Sequence, residues 1–169
     1  RVVVNGLGNK PETDEILAEL TVLGASDVMY NGADLSKPEE IDSMFNSIIE
    51  TFGRIDILVN NAGIQFVSPI DEFPADKWEM IIRVCLNASF YTIKNSLPFM
   101  KQHKWGRIVN IASAHALVAS PFKSAYVAAK HGIHGLTKSV ALEVAQEGIT
   151  VNSVCPGYVK TSLVLEQVA

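Results

Sequence analysis

Tyr126 and Lys130 stand four residues apart in the run Ser124-Ala-Tyr-Val-Ala-Ala-Lys130, which is otherwise small and apolar. Residues four apart share a face of an α-helix, so phenol and ammonium point the same way. A phenol ordinarily ionises near ~10 and is a poor base at neutral pH. A cation one turn away favours its anion, which makes Tyr126 a candidate general acid and base. Tyr-x-x-x-Lys is also an ordinary pattern of amphipathic helices, so other residues must decide. Ser113 lies thirteen residues earlier, in Asn110-Ile-Ala-Ser-Ala, at the end of a predicted strand. Its hydroxyl can reach the same crevice and hydrogen-bond a reacting oxygen, although serine after a strand is commonly a turn former. Asn60-Asn-Ala-Gly63 closes another predicted strand. Its small residues let backbone approach a flat ligand and its amides can bridge neighbouring loops; a plain turn is the simpler reading.

These groups need elements that carry them to one place. Short β-branched runs alternate with longer segments of helical period, the pattern of an α/β domain with a parallel sheet. Strands are predicted at 2–5, 28–30, 55–60, 107–112 and 150–155, and helices at 11–23, 38–52, 75–103 and 121–146. Near-continuous apolar strands such as Ile-Val-Asn-Ile imply cover on both faces. Ser120 suits the cap of the last helix, Pro121 its first position, and Gly148 the residue beyond its end. Tyr126 and Lys130 then occupy its first turns, near the carboxyl edge of the sheet, where open α/β sheets hold their ligands.

Composition narrows the function. A chain of 169 residues, 48% hydrophobic, suffices for one domain spanning 1–169. The net charge of -4 offers no field for a phosphate backbone, so no nucleic-acid partner is expected. No metal site is expected. Cys85 and Cys155, far apart in unlike contexts, read as small core residues in a reducing compartment. No apolar run reaches the length of a membrane span and no signal peptide opens the sequence. The expected location is the cytoplasm, or the mitochondrial matrix in a eukaryote, with no membrane partner.

Asn60-Asn-Ala-Gly63, Asn87 in a long helix, Ser113, Tyr126-Val-Ala-Ala-Lys130 and Pro156-Gly157 before Thr161 together resemble the short-chain dehydrogenase/reductase family. The resemblance spans essentially the whole chain. It implies a Rossmann-type doubly wound parallel sheet and a nicotinamide cofactor. Tyr126 would be the acid and base, Lys130 would lower its pKa and hold the ribose, and Ser113 would bind the substrate oxygen. Asn87 would anchor a water-linked proton relay through a local break in its helix. The cofactor would meet Asn5, Asp34, Leu35, Asn61, Ala62, Gly63, Tyr126, Lys130, Pro156, Gly157 and Thr161. NAD is expected rather than NADP, because Asn5-Gly-Leu-Gly8 carries no arginine for a 2′-phosphate; Lys10 keeps NADP as the alternative.

Within the family, Gly63-Ile-Gln-Phe66, the run from Ile111 to Ser120 and Lys123-Ser-Ala-Tyr126 are similar to the branch of bacterial-type D-3-hydroxybutyrate dehydrogenases. That similarity puts Gln65, His115, Lys123 and Gln167 on the carboxylate of a small 3-hydroxy acid. Charge-assisted hydrogen bonds suit a substrate with little surface. Tyr158 stands where that branch usually has tryptophan, and Phe66 where histidine is common. The alternatives are a 3-oxoacyl-thioester reductase or another alcohol dehydrogenase of the family, or a non-catalytic fragment that only associates with intact subunits.

The family's opening strand and its turn, Thr-Gly-x-x-x-Gly-x-Gly, do not occur in this sequence, nor does the last strand. The expectation is therefore an internal fragment of a longer enzyme, with a gap in the sheet and unpaired edges on either side. Such a chain is not expected to catalyse alone. Two long helices, 75–103 and 121–146, resemble those that pack between subunits in the family, so a homo-oligomer, dimer or tetramer, is expected.

Overall fold

The computed structural model describes residues 1–160. Five strands alternate with helices: β1 (Val2–Asn5), α1 (Lys10–Val22), β2 (Val28–Asn31), α2 (Pro38–Phe52), β3 (Ile57–Asn60), α3 (Ala75–Ile82), α4 (Ala88–His103), β4 (Gly106–Ile111), α5 (Ser124–Glu143) and β5 (Ile149–Val154). Every strand pairing is parallel. The strands form two pieces, β1-β2 and β3-β4-β5. Among the described residues β1 and β3 do not pair. They face one another across a cleft of 890 Å³ lined by Val2, Val3 and Asn5 on one side and Ile57, Leu58, Val59 and Asn60 on the other. The expected gap in a Rossmann-type sheet is present between these strands.

Helix α2 shows how local sequence sets an element. Pro38 fills its first turn, and Gly53, at φ 72°, closes it by donating to the Ile49 carbonyl. Between them Ile41, Met44, Phe45 and Ile48 recur at helical spacing and are buried, packed against Ala88 of α4 and, around it, Val3 and Met29. A second core joins α4, α5 and the sheet through Ile93, Met100, Ile108, Val140, Val144, Ile149 and Val151. Gly148, at φ 69°, turns the chain from α5 into β5; a methyl group there would run into the Lys104 carbonyl oxygen, so glycine is required.

A polar chain crosses this core. Thr92 of α4 donates to the Asn60 side-chain oxygen at 2.7 Å, the Asn60 amide to that of Asn110 at 2.8 Å, the Asn110 amide to Thr137 of α5 at 2.9 Å, and Thr137 to the Ile133 carbonyl. Asn110 and Thr137 are buried. Each buried polar group in the chain has a partner, which fixes the register of β3 on β4 between the two helices.

The predicted helix 75–103 carries its expected break as a π turn, Arg83–Asn87, between α3 and α4. Two expectations are corrected. The last helix begins at Ser124, not Pro121, and Lys123 precedes it without a side-chain cap. Phe122 adopts a left-handed φ of 64° and its carbonyl accepts from the Ser68 N–H, so Pro121 belongs to a turn. Among the described residues the expected cover on both faces is incomplete too. The register aligns Ile57 with Arg107 and Val59 with Val109, and Ile111 with Val154. Ile57, Val59 and Val154 on that face are exposed, whereas Ile108, Ile149 and Val151 on the other are buried. Alternate apolar residues of β3, β4 and β5 thus face outward among the described residues. None of the helices described is long and apolar enough to cross a membrane.

Candidate active site

The carboxyl ends of β3, β4 and β5 bring the candidate residues together. β4 ends at Ile111, and Ser113 follows with an extended backbone; its hydroxyl accepts from the His115 N–H at 3.1 Å and starts a 3₁₀ turn, Ala114–Ala116. The loop after β5 is tied to this turn, because the Ala114 N–H donates to the Pro156 carbonyl at 2.8 Å. Pro156 and Gly157 therefore flank Ser113.

Tyr126 and Lys130 lie in the first two turns of α5 on one face, as the spacing requires. The Lys130 ammonium is 5.4 Å from the centre of the Tyr126 ring. It donates to the Ile111 carbonyl at 2.7 Å, so α5 is pinned to the end of β4. Lys130 is 3% exposed. Burial lowers its pKa below the ordinary lysine value, with the thiols of Cys85 and Cys155 raising it in part. Burial likewise pushes the Tyr126 phenol up; the Ser113 side chain, hydrogen-bonded to it, pulls it down, and Cys85 raises it slightly. Burial dominates, and the lowering partner is Ser113.

His115 approaches the same tyrosine, and the Lys123 charge acts on His115. The His115 ring meets that of Tyr126 edge-on at 6.1 Å between centres. Burial, and then the charge of Lys123, hold the imidazole below its usual pKa, so it is neutral at pH 7. The Lys123 ammonium lies 5.8 Å from the centre of the Tyr158 ring. Gln65, half-buried, follows Ile64 in the loop beyond β3.

Asn5, Asp34, Leu35, Asn61, Ala62 and Gly63 all line the 890 Å³ cleft. The Asn5 amide donates to the Asn31 and Ala33 carbonyls, so it ties the end of β1 to the loop after β2. The Asp34 carboxylate accepts from the Ser36 N–H at 2.9 Å; that backbone bond holds its pKa low, helped by the Ser36 side chain and opposed by burial. Thr161 and Gln167 fall outside the described residues.

Asn87 is not brought into this group. It is exposed and lines a separate recess with Leu35, Lys37, Arg83 and Tyr91. The break expected in its helix is there, at Arg83–Asn87, yet residues two apart on a helix point to nearly opposite sides. The inward position belongs to Cys85. A signal was available: Ile81, Cys85, Ala88 and Thr92 recur at steps of four, three and four along one stripe, and all four are buried. By residue type alone Cys85 reads as a small core residue.

A sequence profile described as short chain dehydrogenase matches residues 1–169. The chain belongs to this family. The D-beta-hydroxybutyrate dehydrogenase of Rhizobium meliloti is 56% identical over 167 residues, covering 99% of this chain and 65% of the relative. That of Cupriavidus necator is 52% identical over 168 residues, 99% of this chain and 64% of the relative. A 3-oxoacyl-acyl-carrier-protein reductase of Synechocystis is 34% identical over 163 residues, 96% of this chain and 66% of the relative. The chain thus spans about 65% of the length of the relatives it matches best among these.

The site of this short-chain dehydrogenase fits the ribose end of a nicotinamide cofactor. An ammonium carries three N–H donors, and among the described residues Lys130 spends one, on Ile111. A methyl group placed on Gly63 would stand 3.8 Å from the Lys130 nitrogen, so the cleft wall and the ammonium adjoin. Two donors remain for ligand hydroxyls.

Proposed function

We propose that this short-chain dehydrogenase uses NAD to oxidise a small 3-hydroxy acid, D-3-hydroxybutyrate to acetoacetate. The observation that carries this reading is the convergence of Ser113, Lys130 and His115 on the one phenol of Tyr126, with the Lys123 charge acting on His115 beside it. The names of the relatives at 56% and 52% identity support the substrate.

Bound NAD supplies the acceptor for the hydride that leaves the carbinol carbon. The rest is work for this chain's own side chains. Ser113 donates to the substrate oxygen and steadies it as negative charge develops. Tyr126, as phenolate, removes the hydroxyl proton; in the reverse direction the phenol returns it. Lys130 holds ribose hydroxyls and keeps α5 seated on β4, which fixes the phenol in place. Lys123 supplies the charge that holds the substrate carboxylate, and His115 and Gln65 add neutral N–H donors. Thr161 and Gln167 are proposed as further contacts, to cofactor and substrate respectively. The exposed apolar residues of the helices, Phe90 on α4 and Leu142 on α5, suit burial between copies in a homo-oligomer.

Substrate competition tests the assignment. The intact protein is assayed with D-3-hydroxybutyrate and NAD, and in parallel with a 3-oxoacyl thioester and reduced cofactor. Faster turnover of the hydroxy acid is expected. Turnover confined to the thioester would replace the proposal with the reductase activity.

A further inference from the structure

Cys85 has no part in the reaction described above, yet it sits where three elements of the site meet. It is 1% exposed, in the middle of the π turn. On one side it packs with Ala125 and Ala129, the residues of α5 that bracket Tyr126. On the other its sulfur makes two bonds to a single residue of the β3 loop, accepting from the Ile64 N–H at 3.3 Å and donating to the Ile64 carbonyl at 3.3 Å. A methyl group on the neighbouring Gly63 would be 3.8 Å from this sulfur and 3.8 Å from the Lys130 nitrogen. Thiol, loop backbone and ammonium are therefore one contact group. Burial raises the thiol pKa, with the Ile64 backbone and Lys130 lowering it in part, so the S–H donor is kept at neutral pH. The groups that face it from the packed elements are Lys130 and Tyr126 of α5.

We propose that Cys85 is a positioning residue for the dehydrogenase reaction: its thiol bridges the N–H and the carbonyl of Ile64 and thereby holds the Gly63 backbone against the Lys130 ammonium, where the cofactor ribose is to bind. A core-filling side chain needs only volume and apolar surface at this place. A bridge needs a donor and an acceptor together, and the two roles make opposite predictions for substitution. An amide side chain offers both groups on separate atoms. Alanine and valine offer neither, and they bracket the thiol in size. This inference rests on the proposed reaction for its kinetic half and on geometry alone for the other.

The test uses C85N, C85A and C85V in the intact protein, with two readouts: hydrogen exchange of the Ile64 amide without substrate, and kcat and KM for NAD. In C85A and C85V the Ile64 amide should exchange at least about tenfold faster and KM for NAD should rise about tenfold, the equivalent of one ordinary hydrogen bond. C85N should return both to within about threefold of the wild type; should C85N fail to fold, C85S, with a hydroxyl that donates and accepts, takes its place. Wild-type behaviour of C85V together with an impaired C85N and C85S would overturn the bridge in favour of core filling. An unchanged Ile64 amide in all variants would also overturn it. A wild-type protein inactive on hydroxy acids would sink the reaction while the exchange data still decide the bridge.

Discussion

At the scale of the residue, the site is a balance between burial and polar support around one phenol. Burial raises Tyr126, so the protonated phenol prevails through neutral pH. Reduction, which needs the proton donor, should run well near pH 7. Oxidation, which needs the phenolate, should gain rate as pH rises toward the raised value; a kcat profile for oxidation that is flat from neutral to alkaline pH would contradict this. The sign for stability follows the same shift. A raised folded pKa stabilises the fold below the unfolded value, and this contribution is lost as pH rises through the folded value. Lys123→Ala should raise KM for a carboxylate substrate by about tenfold or more, because one charge-assisted bond is lost, and leave KM for a thioester nearly unchanged. Equal effects on both would remove Lys123 from the substrate. The sequence made Tyr126, Lys130 and Ser113 legible because period and strand position fix where such residues fall. It hid the sign of the Tyr126 shift, because burial is a sum over neighbours distant in sequence. Asn87 misled for a related reason: residue type outweighed helical phase, and phase was the better guide.

At the scale of the element, the parts that position the site are strand ends and helix starts held by few polar bonds. Asn110→Ala removes the middle of the chain from Thr92 to Thr137 and leaves the Asn60 amide and the Thr137 hydroxyl short of a partner. Each such loss costs about 1–3 kcal/mol; urea denaturation should show a drop within this range per group, and a change below about 0.5 kcal/mol would mean that water repairs the chain. Five strands were legible within two residues, since short β-branched runs between helical periods leave little choice. The start of α5 was not. Ser120 and Pro121 carry a helix-start signature, but the tertiary bond between the Ser68 N–H and the Phe122 carbonyl holds the chain in a turn, and the helix starts three residues later. The π turn between α3 and α4 was legible only through the family resemblance, because one inserted residue per turn barely disturbs a pattern of apolar residues.

At the scale of the whole molecule, the described sheet is divided and one of its faces is open. β4 pairs on both sides, whereas β1 and β3 each pair on one. Backbone amides of β4 should therefore exchange most slowly, and those of β1 much faster, in a polypeptide of these 169 residues. The same polypeptide should bind a hydrophobic dye through Ile57, Val59 and Val154. Absence of dye binding, with uniform protection across the strands, would show that the cleft and the face are closed in solution. The gap was legible from the missing glycine-rich turn. The open face was not, because a strand buried on both sides and one buried on a single side with apolar residues outward read alike in sequence.

The central claim is that Tyr126 moves the proton while the hydroxy acid gives up its hydride. Tyr126→Phe removes one oxygen atom and keeps the ring that packs between His115 and Lys130. The direct measurement is single-turnover oxidation of D-3-hydroxybutyrate by the intact protein and by this variant, with NAD affinity determined for each. Near-equal affinity with a rate reduced by about 10²–10⁴-fold is predicted; a rate within threefold of the wild type would contradict the account.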